Sequence, residues 1–145
     1  RYSIFTGATI LNIYYISAIY KPGKTEKKLC AKKWVFGEIR FVENNQLEYY
    51  KRGSNRNTIT FPDDYIIFRK DFTGVYSNGR ETSLIKWKFK SGKKDAIEYT
   101  IQQSAPLTVN WENMRIKEDE ISYTEYYTKD NGVSVMGIAT RKVSW

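Results

Sequence analysis

The stretch Thr82–Phe89 reads T-S-L-I-K-W-K-F and decides the fold class of this chain. Ile85, Trp87 and Phe89 share one face of an extended segment, and two lysines share the other face. Side chains alternate between the two faces of a β-strand, so this pattern predicts a strand with one buried and one solvated side.

Similar segments repeat along the chain from Lys33 onward, and short turn sequences separate them. We predict about nine or ten strands, one of them at Thr58–Phe61, and one short helix near Glu26–Lys33. Short connections favour pairing between strands that are neighbours in sequence. A barrel with that order removes its own edges, so the predicted fold is an all-β, antiparallel up-and-down barrel of about eight strands with an extra N-terminal segment.

Three turns carry the clearest sequence signals. Asn44-Asn45 and Pro62-Asp63-Asp64 each separate two predicted strands. Asn131-Gly132 is the strongest hairpin signal, because both residue types accept positive φ at the two central positions of a type I′ turn. Gly37 interrupts the strand alternation around it and predicts a β-bulge.

Composition excludes several classes of site. The chain has 145 residues, 12 of them Tyr, 7 Phe and 4 Trp, and it has no histidine. Without histidine, a Ser-His-Asp or Cys-His site and the usual zinc sites cannot form. The dense acidic clusters Asp63-Asp64 and Glu118-Asp119-Glu120 fall in predicted turns and are expected to be solvated. We therefore predict no enzymatic activity, no metal site and no cofactor.

The first part of the chain differs from the rest. Tyr2–Tyr20 contains no charged residue, and a lysine-rich run follows it. Its β-branched residues favour an extra strand, and a targeting segment is the alternative. We divide the chain into residues 1–28, an apolar segment plus a lysine-rich linker, and residues 29–145, the barrel.

The net charge of +8 is concentrated near the beginning of the chain. Charge gathered in one segment does not match the interleaved basic and aromatic pattern of nucleic-acid binders, so no nucleic-acid partner is predicted. A peripheral contact with an anionic surface or a protein partner is the alternative to a simply solvated run. Six lysines would make that contact: Lys21, Lys24, Lys27, Lys28, Lys32 and Lys33. Cys30 lies among them and is expected to be a buried small apolar residue.

Three sequence pieces resemble the small lipocalin-like domains of bacterial secreted proteins. Lys33-Trp34 resembles the opening of that family's first strand. Tyr65–Tyr76 resembles an apolar strand of the family together with the Asp-x-Thr-Gly turn and the strand that follow it. Ile85–Phe89 resembles the family's tryptophan-bearing strand. The resemblance covers roughly residues 29–145. It implies a non-enzymatic barrel of about eight strands that is secreted, periplasmic or associated with the cell envelope.

A barrel of this size either is filled by side chains or holds one small ligand. The leading hypothesis is a binding module that holds a small apolar or amphipathic ligand in the barrel mouth, with tyrosine hydroxyls orienting it. The alternative is a structural or interaction protein with a filled core that acts through its outer surface. The candidate ligand-binding residues are Trp34, Phe68, Ile85, Trp87, Phe89, Tyr99 and Tyr123.

Overall fold

A computed structural model describes residues 23–61 and 63–144 of the chain. The predicted N-terminal strand or targeting segment and Lys21 lie outside the described residues. One short helix precedes nine strands: α1 (Lys24–Leu29), β1 (Trp34–Glu43), β2 (Gln46–Lys51), β3 (Tyr65–Phe68), β4 (Thr73–Ser77), β5 (Thr82–Phe89), β6 (Ile97–Ile101), β7 (Leu107–Lys117), β8 (Glu120–Thr128) and β9 (Ser134–Val143).

The strands form a closed antiparallel barrel, as the alternation pattern predicts. From β3 to β9 each strand pairs with the next, and β9 pairs back onto β1 along nearly its whole length. The ring is completed by β1 and β3, which leaves β2 as an extra strand outside it. The barrel prediction is therefore confirmed.

The barrel wall is weakest between β1 and β3. These strands share only two paired positions, Trp34 with Ile66 and Val35 with Tyr65. Beyond Glu38, β1 pairs with β2 instead, and the chain then returns through residues 52–64. Thr58–Phe61 in this connection is not a strand, so that prediction is wrong: Thr58 bonds through its backbone N–H and hydroxyl to Tyr49.

Phe61 fills the interior where this backbone pairing is missing. Its ring lies 5.2 Å from Phe36, 6.1 Å from Phe41 and 5.7 Å from Tyr50, measured between ring centroids. Aromatic contact with the core therefore replaces ladder hydrogen bonds at this part of the wall.

The turn chemistry differs from prediction in one respect. Asn44 and Asn45 both have positive φ, 53° and 62°, as a two-residue hairpin requires. In the β8–β9 turn, Gly132 is the one residue with positive φ, 85°. The N–H of Gly132 donates a hydrogen bond to the carbonyl of Lys129. The prediction of positive φ at both centres was wrong for this turn, because a longer loop needs only one left-handed residue.

Bulges interrupt two of the long strands. The register between β1 and β9 shifts between Phe36 and Glu38, so Gly37 marks a bulge as predicted. A second shift lies in β7 between Glu112 and Arg115, where Asn113 has φ of 53°. The sequence predicts two strands here, Leu107–Trp111 and Met114–Lys117, and the bulge instead lets Leu107–Lys117 continue as one strand.

Helix α1 covers one end of the barrel, which we call the helix end. Leu29 is completely buried, and its carbonyl accepts a hydrogen bond from Nε1 of Trp34 at 2.9 Å. Cys30 then bridges to Phe68 of β3. No helix within residues 23–61 and 63–144 is long and apolar enough to cross a membrane.

The Asp71–Gly74 turn shows why its residue types are needed. The Asp71 carboxylate accepts hydrogen bonds from the backbone N–H and the hydroxyl of Thr73, at 3.0 and 2.6 Å. These bonds lower the pKa of Asp71. The next residue, Gly74, lies so close to β3 that a Cβ there would be 2.1 Å from the carbonyl oxygen of Ile67. The turn therefore requires glycine for space.

We predict that Gly74→Ala lowers the free energy of unfolding by ~1–3 kcal/mol or more, because the backbone of β3 or β4 must move. Gly37→Ala is the matched control, since its Cβ would be 3.4 Å from its nearest neighbour. We expect that control to stay within ~0.5 kcal/mol of the wild type in urea unfolding followed by tryptophan fluorescence. Equal losses in both variants would contradict the close approach at Gly74.

Candidate functional site

A cavity of about 100 Å³ lies inside the barrel at the end opposite α1, which we call the cavity end. Phe61, Leu107 and Tyr127 among its lining residues are partly exposed, so the cavity reaches the surface beside them. Its walls combine apolar side chains with charged and hydroxyl groups. The lining residues are Phe36, Ile39, Phe41, Phe61, Asp64, Tyr76, Tyr99, Ile101, Leu107, Val109, Glu125, Tyr127 and Arg141.

Arg141 of β9 is the central charged group of the interior, with only 1% of its surface exposed. Its Nη2 donates to the Asp64 carboxylate at 2.8 Å, and its Nη1 donates to the carbonyl of Trp34 at 3.0 Å. Its Nε donates to the Tyr123 hydroxyl at 2.8 Å. The guanidinium also lies 3.7 Å from the centre of the Phe36 ring. Burial alone would lower the pKa of Arg141, but Tyr123 and Asp64 raise it above its ordinary value.

Asp64 corrects the expectation that both acids of the Asp63-Asp64 turn are solvated. Its side chain is buried against Arg141, while Asp63 is exposed. The second carboxylate oxygen accepts a hydrogen bond from the Tyr76 hydroxyl at 2.6 Å. Asp64 lies immediately before β3, so this ion pair joins β3 to β9 beside the weakly paired wall. The acids Glu118, Asp119 and Glu120 are exposed as expected.

Glu125 of β8 is the second buried acid, with 8% of its surface exposed. One carboxyl oxygen accepts a hydrogen bond from Nε1 of Trp111 at 3.0 Å. Within the described residues, the other oxygen has no hydrogen-bond partner. Burial raises the pKa of Glu125, although Arg141 and the Trp111 bond act in the opposite direction. Glu125 thus brings an unsatisfied carboxyl oxygen to the cavity wall.

Two tyrosines near Glu125 also line the cavity. Tyr99 is buried, and among the described residues its hydroxyl has no hydrogen-bond partner. Burial raises the pKa of Tyr99 well above its ordinary value, and Glu125 raises it further. The same two causes raise the pKa of Tyr127. Both phenols are therefore neutral at physiological pH and can donate or accept a hydrogen bond.

The structure places the seven sequence-predicted site residues in the interior, but mostly away from the cavity. Six are buried, and Phe89 is partly buried. Tyr99 alone among the seven lines the cavity. The other six are Trp34, Phe68, Ile85, Trp87, Phe89 and Tyr123.

An aromatic cluster explains this separation. Phe68 packs edge-on against Trp87, Tyr99 and Trp111, with ring centroids 5.4 to 6.0 Å apart. Trp87 also donates from Nε1 to the carbonyls of Arg69 and Thr73 at 3.0 and 3.1 Å. Interlocked rings with satisfied N–H groups fill the helix end and leave the cavity at the other end.

Sequence reasoning missed Arg141, Asp64 and Glu125, and for two of them a signal was present. Glu125 alternates in phase with the buried residues Ile121 and Tyr123 of β8. Arg141 continues the inward phase of β9 in the same way. A charged residue in phase with a buried face indicates a buried, partnered charge. The interior therefore holds charged groups besides the aromatic and aliphatic residues that the sequence analysis proposes.

Neither metal chemistry nor thiol chemistry has a site in the described part of the chain. Residues 23–61 and 63–144 contain no group of three or more Cys, Asp or Glu residues that could hold a metal ion. Cys30 is buried as expected, and burial raises its pKa to about 11. Its thiol is therefore protonated at physiological pH and is a weak nucleophile.

The described lysines of the lysine-rich run lie in two structural environments. Lys24, Lys27 and Lys28 are exposed on α1. Lys32 donates to the carbonyl of Glu118 at 3.4 Å, and the Nζ of Lys33 lies 4.5 Å from the centre of the Tyr65 ring. Lys33 stays exposed, so the contact proposed for these lysines stays a prediction.

Comparisons of the chain with protein-family models, with curated proteins and with solved structures find no match. The resemblance to bacterial lipocalin-like domains therefore stays a prediction.

We predict that Asp64→Asn lowers the free energy of unfolding by ~3–5 kcal/mol, because it leaves the buried Arg141 charge uncompensated. Glu98→Gln is the matched control: Glu98 pairs with Lys88 at 3.3 Å on the solvated face. We expect a loss of ~0–1 kcal/mol there. Urea unfolding measures both variants, and a loss below 1 kcal/mol for Asp64→Asn would contradict the role of the buried pair.

The raised pKa of Glu125 predicts a pH-dependent stability. Because the folded protein holds a proton that the unfolded chain releases, this contribution is present below the ordinary pKa of 4.5 and is lost as pH rises through the raised pKa. Glu125→Gln removes this titration and keeps an acceptor for Trp111. We therefore expect the variant to gain stability relative to the wild type between pH 4.5 and pH 8 in urea unfolding.

Tyr99→Phe serves as the control for this measurement. It alters the same cavity without removing a carboxyl group, and the Tyr99 hydroxyl does not titrate in this pH range. Its stability difference from the wild type should stay constant. If the stability difference between Glu125→Gln and the wild type were also constant across this pH range, the pKa of Glu125 would not be raised in the folded protein.

Proposed function

We propose that this protein is a non-enzymatic binding module that takes one end of a small amphipathic molecule into the cavity. The observation that carries the proposal is the unsatisfied carboxyl oxygen of Glu125 at the wall of a partly apolar cavity. Buried polar groups are nearly always hydrogen-bonded in folded proteins, so an exception next to a cavity points to a bound group.

The two kinds of wall fit the two ends of an amphipathic ligand. Glu125 and the Tyr99 hydroxyl offer polar contacts inside the barrel, whereas Phe41, Phe61 and Leu107 offer apolar contacts toward the surface. A ligand would therefore enter with its polar group first and leave its apolar part near the mouth. This orientation keeps each part of the ligand in contact with groups of its own polarity.

The cavity volume limits how much of a ligand can enter. Sites for drug-sized ligands have ~300–1,000 Å³, whereas an apolar cavity of ~150 Å³ holds one benzene molecule. A cavity of about 100 Å³ therefore accepts a few heavy atoms, and the rest of a longer ligand would extend past the mouth. Burial of three or four CH₂ groups contributes ~3 kcal/mol, so an uncharged ligand of this kind binds weakly.

The charges and pKa values support binding rather than catalysis. Asp64 is neutralised by Arg141, and the Arg141 donors are engaged with Asp64, Trp34 and Tyr123. Asp64 and Glu125 both line the cavity, but the two Asp64 oxygens are engaged by Arg141 and Tyr76, so this pair does not offer a free acid and a free base. The proposal also keeps the lipocalin-like, exported character that the sequence resemblance implies.

A filled-core interaction protein is the second candidate, and an exposed apolar patch on the barrel exterior favours it. Val42 of β1 pairs with Leu47 of β2 on one side and with Met136 of β9 on the other. All three are exposed, as is Ile138 two residues along β9. Contiguous apolar side chains on a solvated sheet face suit a protein contact.

Filling the cavity tests the first candidate against the second. Val109 lies between Tyr99 and Tyr127 in the strand register, so Val109→Phe places a ring in the cavity. Leu84→Phe is the control, because Leu84 is exposed and does not line the cavity. The probe is n-hexanol, titrated by ligand-observed NMR and by tryptophan fluorescence.

We expect n-hexanol to bind to the wild type and to Leu84→Phe with the same affinity, and at least tenfold more weakly to Val109→Phe. Circular dichroism checks that each variant is folded. Equal affinity in all three proteins, or no binding to the wild type, would overturn the binding proposal and favour the outer-surface candidate.

A further inference from the structure

We propose, resting on the binding function above, that the ligand enters the cavity through a protonated primary amine. The geometry points to Glu125 as the counter-ion and hydrogen-bond acceptor for this group. The apolar tail of the amine would lie toward Phe61 and Leu107 at the mouth.

The charges of the cavity wall do not balance. Arg141 and Asp64 form a neutral pair: Nε, Nη1 and Nη2 of Arg141 each donate one hydrogen bond and each Asp64 oxygen accepts one, with Trp34, Tyr76 and Tyr123 as the other partners. Glu125 is the charged group left over. When it is ionised, the wall carries one negative charge in excess, so a positively charged ligand is the one that this wall favours.

The hydrogen-bonding groups of the cavity wall also favour an ammonium group. The free oxygen of Glu125 is an acceptor, and the Tyr99 hydroxyl can also accept. A primary ammonium carries three N–H donors and can serve both groups at once. A quaternary ammonium has no donor and is bulkier, so this pattern and the small cavity favour a primary ammonium over a quaternary one.

Aromatic rings line the cavity that Glu125 faces. Tyr99, Tyr127 and Phe61 line the same small cavity. Aromatic faces attract a cation that approaches within ~6 Å of the ring centre. Phe36 also lines the cavity, but its ring already faces Arg141. Phe41 and Tyr76 line the cavity as well, so five rings besides Phe36 are available to a cation in it.

The pH dependence follows from competition between the ligand and a proton for Glu125. The groups that act on the Glu125 carboxyl come from β4, β6, β7, β8, β9 and the residue before β3. They are Tyr76, Tyr99, Trp111, Tyr123, Tyr127, Arg141 and Asp64. Because the pKa of the carboxyl is raised, affinity for an ammonium should increase as pH rises through that pKa and then stay constant until the amine itself loses its proton.

The test compares three ligands of equal tail length on the full chain: n-hexylamine, n-hexanol and hexanoate. We expect n-hexylamine to bind at least tenfold more tightly than n-hexanol at pH 8, because a hydrogen bond to a charged group adds to the same apolar contact. Hexanoate should bind more weakly than n-hexanol, since its charge has the same sign as that of Glu125.

Glu125→Gln is the decisive variant, because it keeps the shape and the acceptor for Trp111 but removes the charge. We expect it to lose the tenfold preference for n-hexylamine over n-hexanol, because Gln can still hydrogen-bond either head group but carries no charge. Glu98→Gln is the matched control, since it removes one partly exposed acid on the solvated face of β6. Its affinity for all three ligands should equal that of the wild type.

The outcomes separate this inference from the function on which it rests. Binding of n-hexanol with equal or weaker binding of n-hexylamine would overturn the amine assignment and leave the binding function standing. Tighter binding of hexanoate would overturn it in favour of an anionic group. Absence of binding by all three ligands would overturn both. The ligand series on the wild type decides the question even where Glu125→Gln is poorly folded.

Discussion

The buried guanidinium of Arg141 is the interaction on which the barrel wall and the cavity both depend. The backbone ladder between β1 and β3 has only two paired positions, so hydrogen bonds within the sheet hold this part of the ring weakly. Arg141 joins the beginning of β1, through Trp34, to Asp64 at the beginning of β3. The Arg141–Asp64 ion pair therefore helps to close the ring between β1 and β3, where ladder hydrogen bonds are few.

Burial of the Arg141–Asp64 pair costs free energy, and the surrounding groups offset this cost. Removing a guanidinium and a carboxylate from water costs several kcal/mol per ion, and only good geometry and further hydrogen bonds recover it. Tyr76, Tyr123 and the Trp34 carbonyl supply those bonds, and Phe36 stacks on the guanidinium. The result is a satisfied polar group inside an aromatic core. Glu125 lies beside it with one hydrogen-bond partner among the described residues, Nε1 of Trp111.

The division of the interior into a packed end and a cavity end has a related cause. At the helix end, α1 and the rings of Trp34, Phe68 and Trp87 fill the cylinder. At the cavity end, β1 pairs with β2 instead of β3, and the connection back to β3 must cover the opening. Phe61 covers only part of it. A wall completed by a loop and one ring packs less densely than a wall of paired strands, and the cavity forms there.

The sequence by itself determined the class of fold and the inward phase of each strand. Strand alternation is a local property, because successive side chains point to opposite faces wherever a strand lies. For that reason Trp34, Phe68, Trp87 and Tyr123 could be assigned to the interior, and Gly37 to a bulge. The phase of Glu125 and Arg141 could be read in the same way, although their charges argued against burial.

Only the tertiary structure decided which interior residues face a cavity and which acids are buried. Asp64 is buried because Arg141 lies opposite it, and the two are 77 positions apart in the chain. The cavity exists because β1 exchanges one partner strand for another partway along its length. Both depend on contacts between distant segments, and local alternation carries no information about which segments meet.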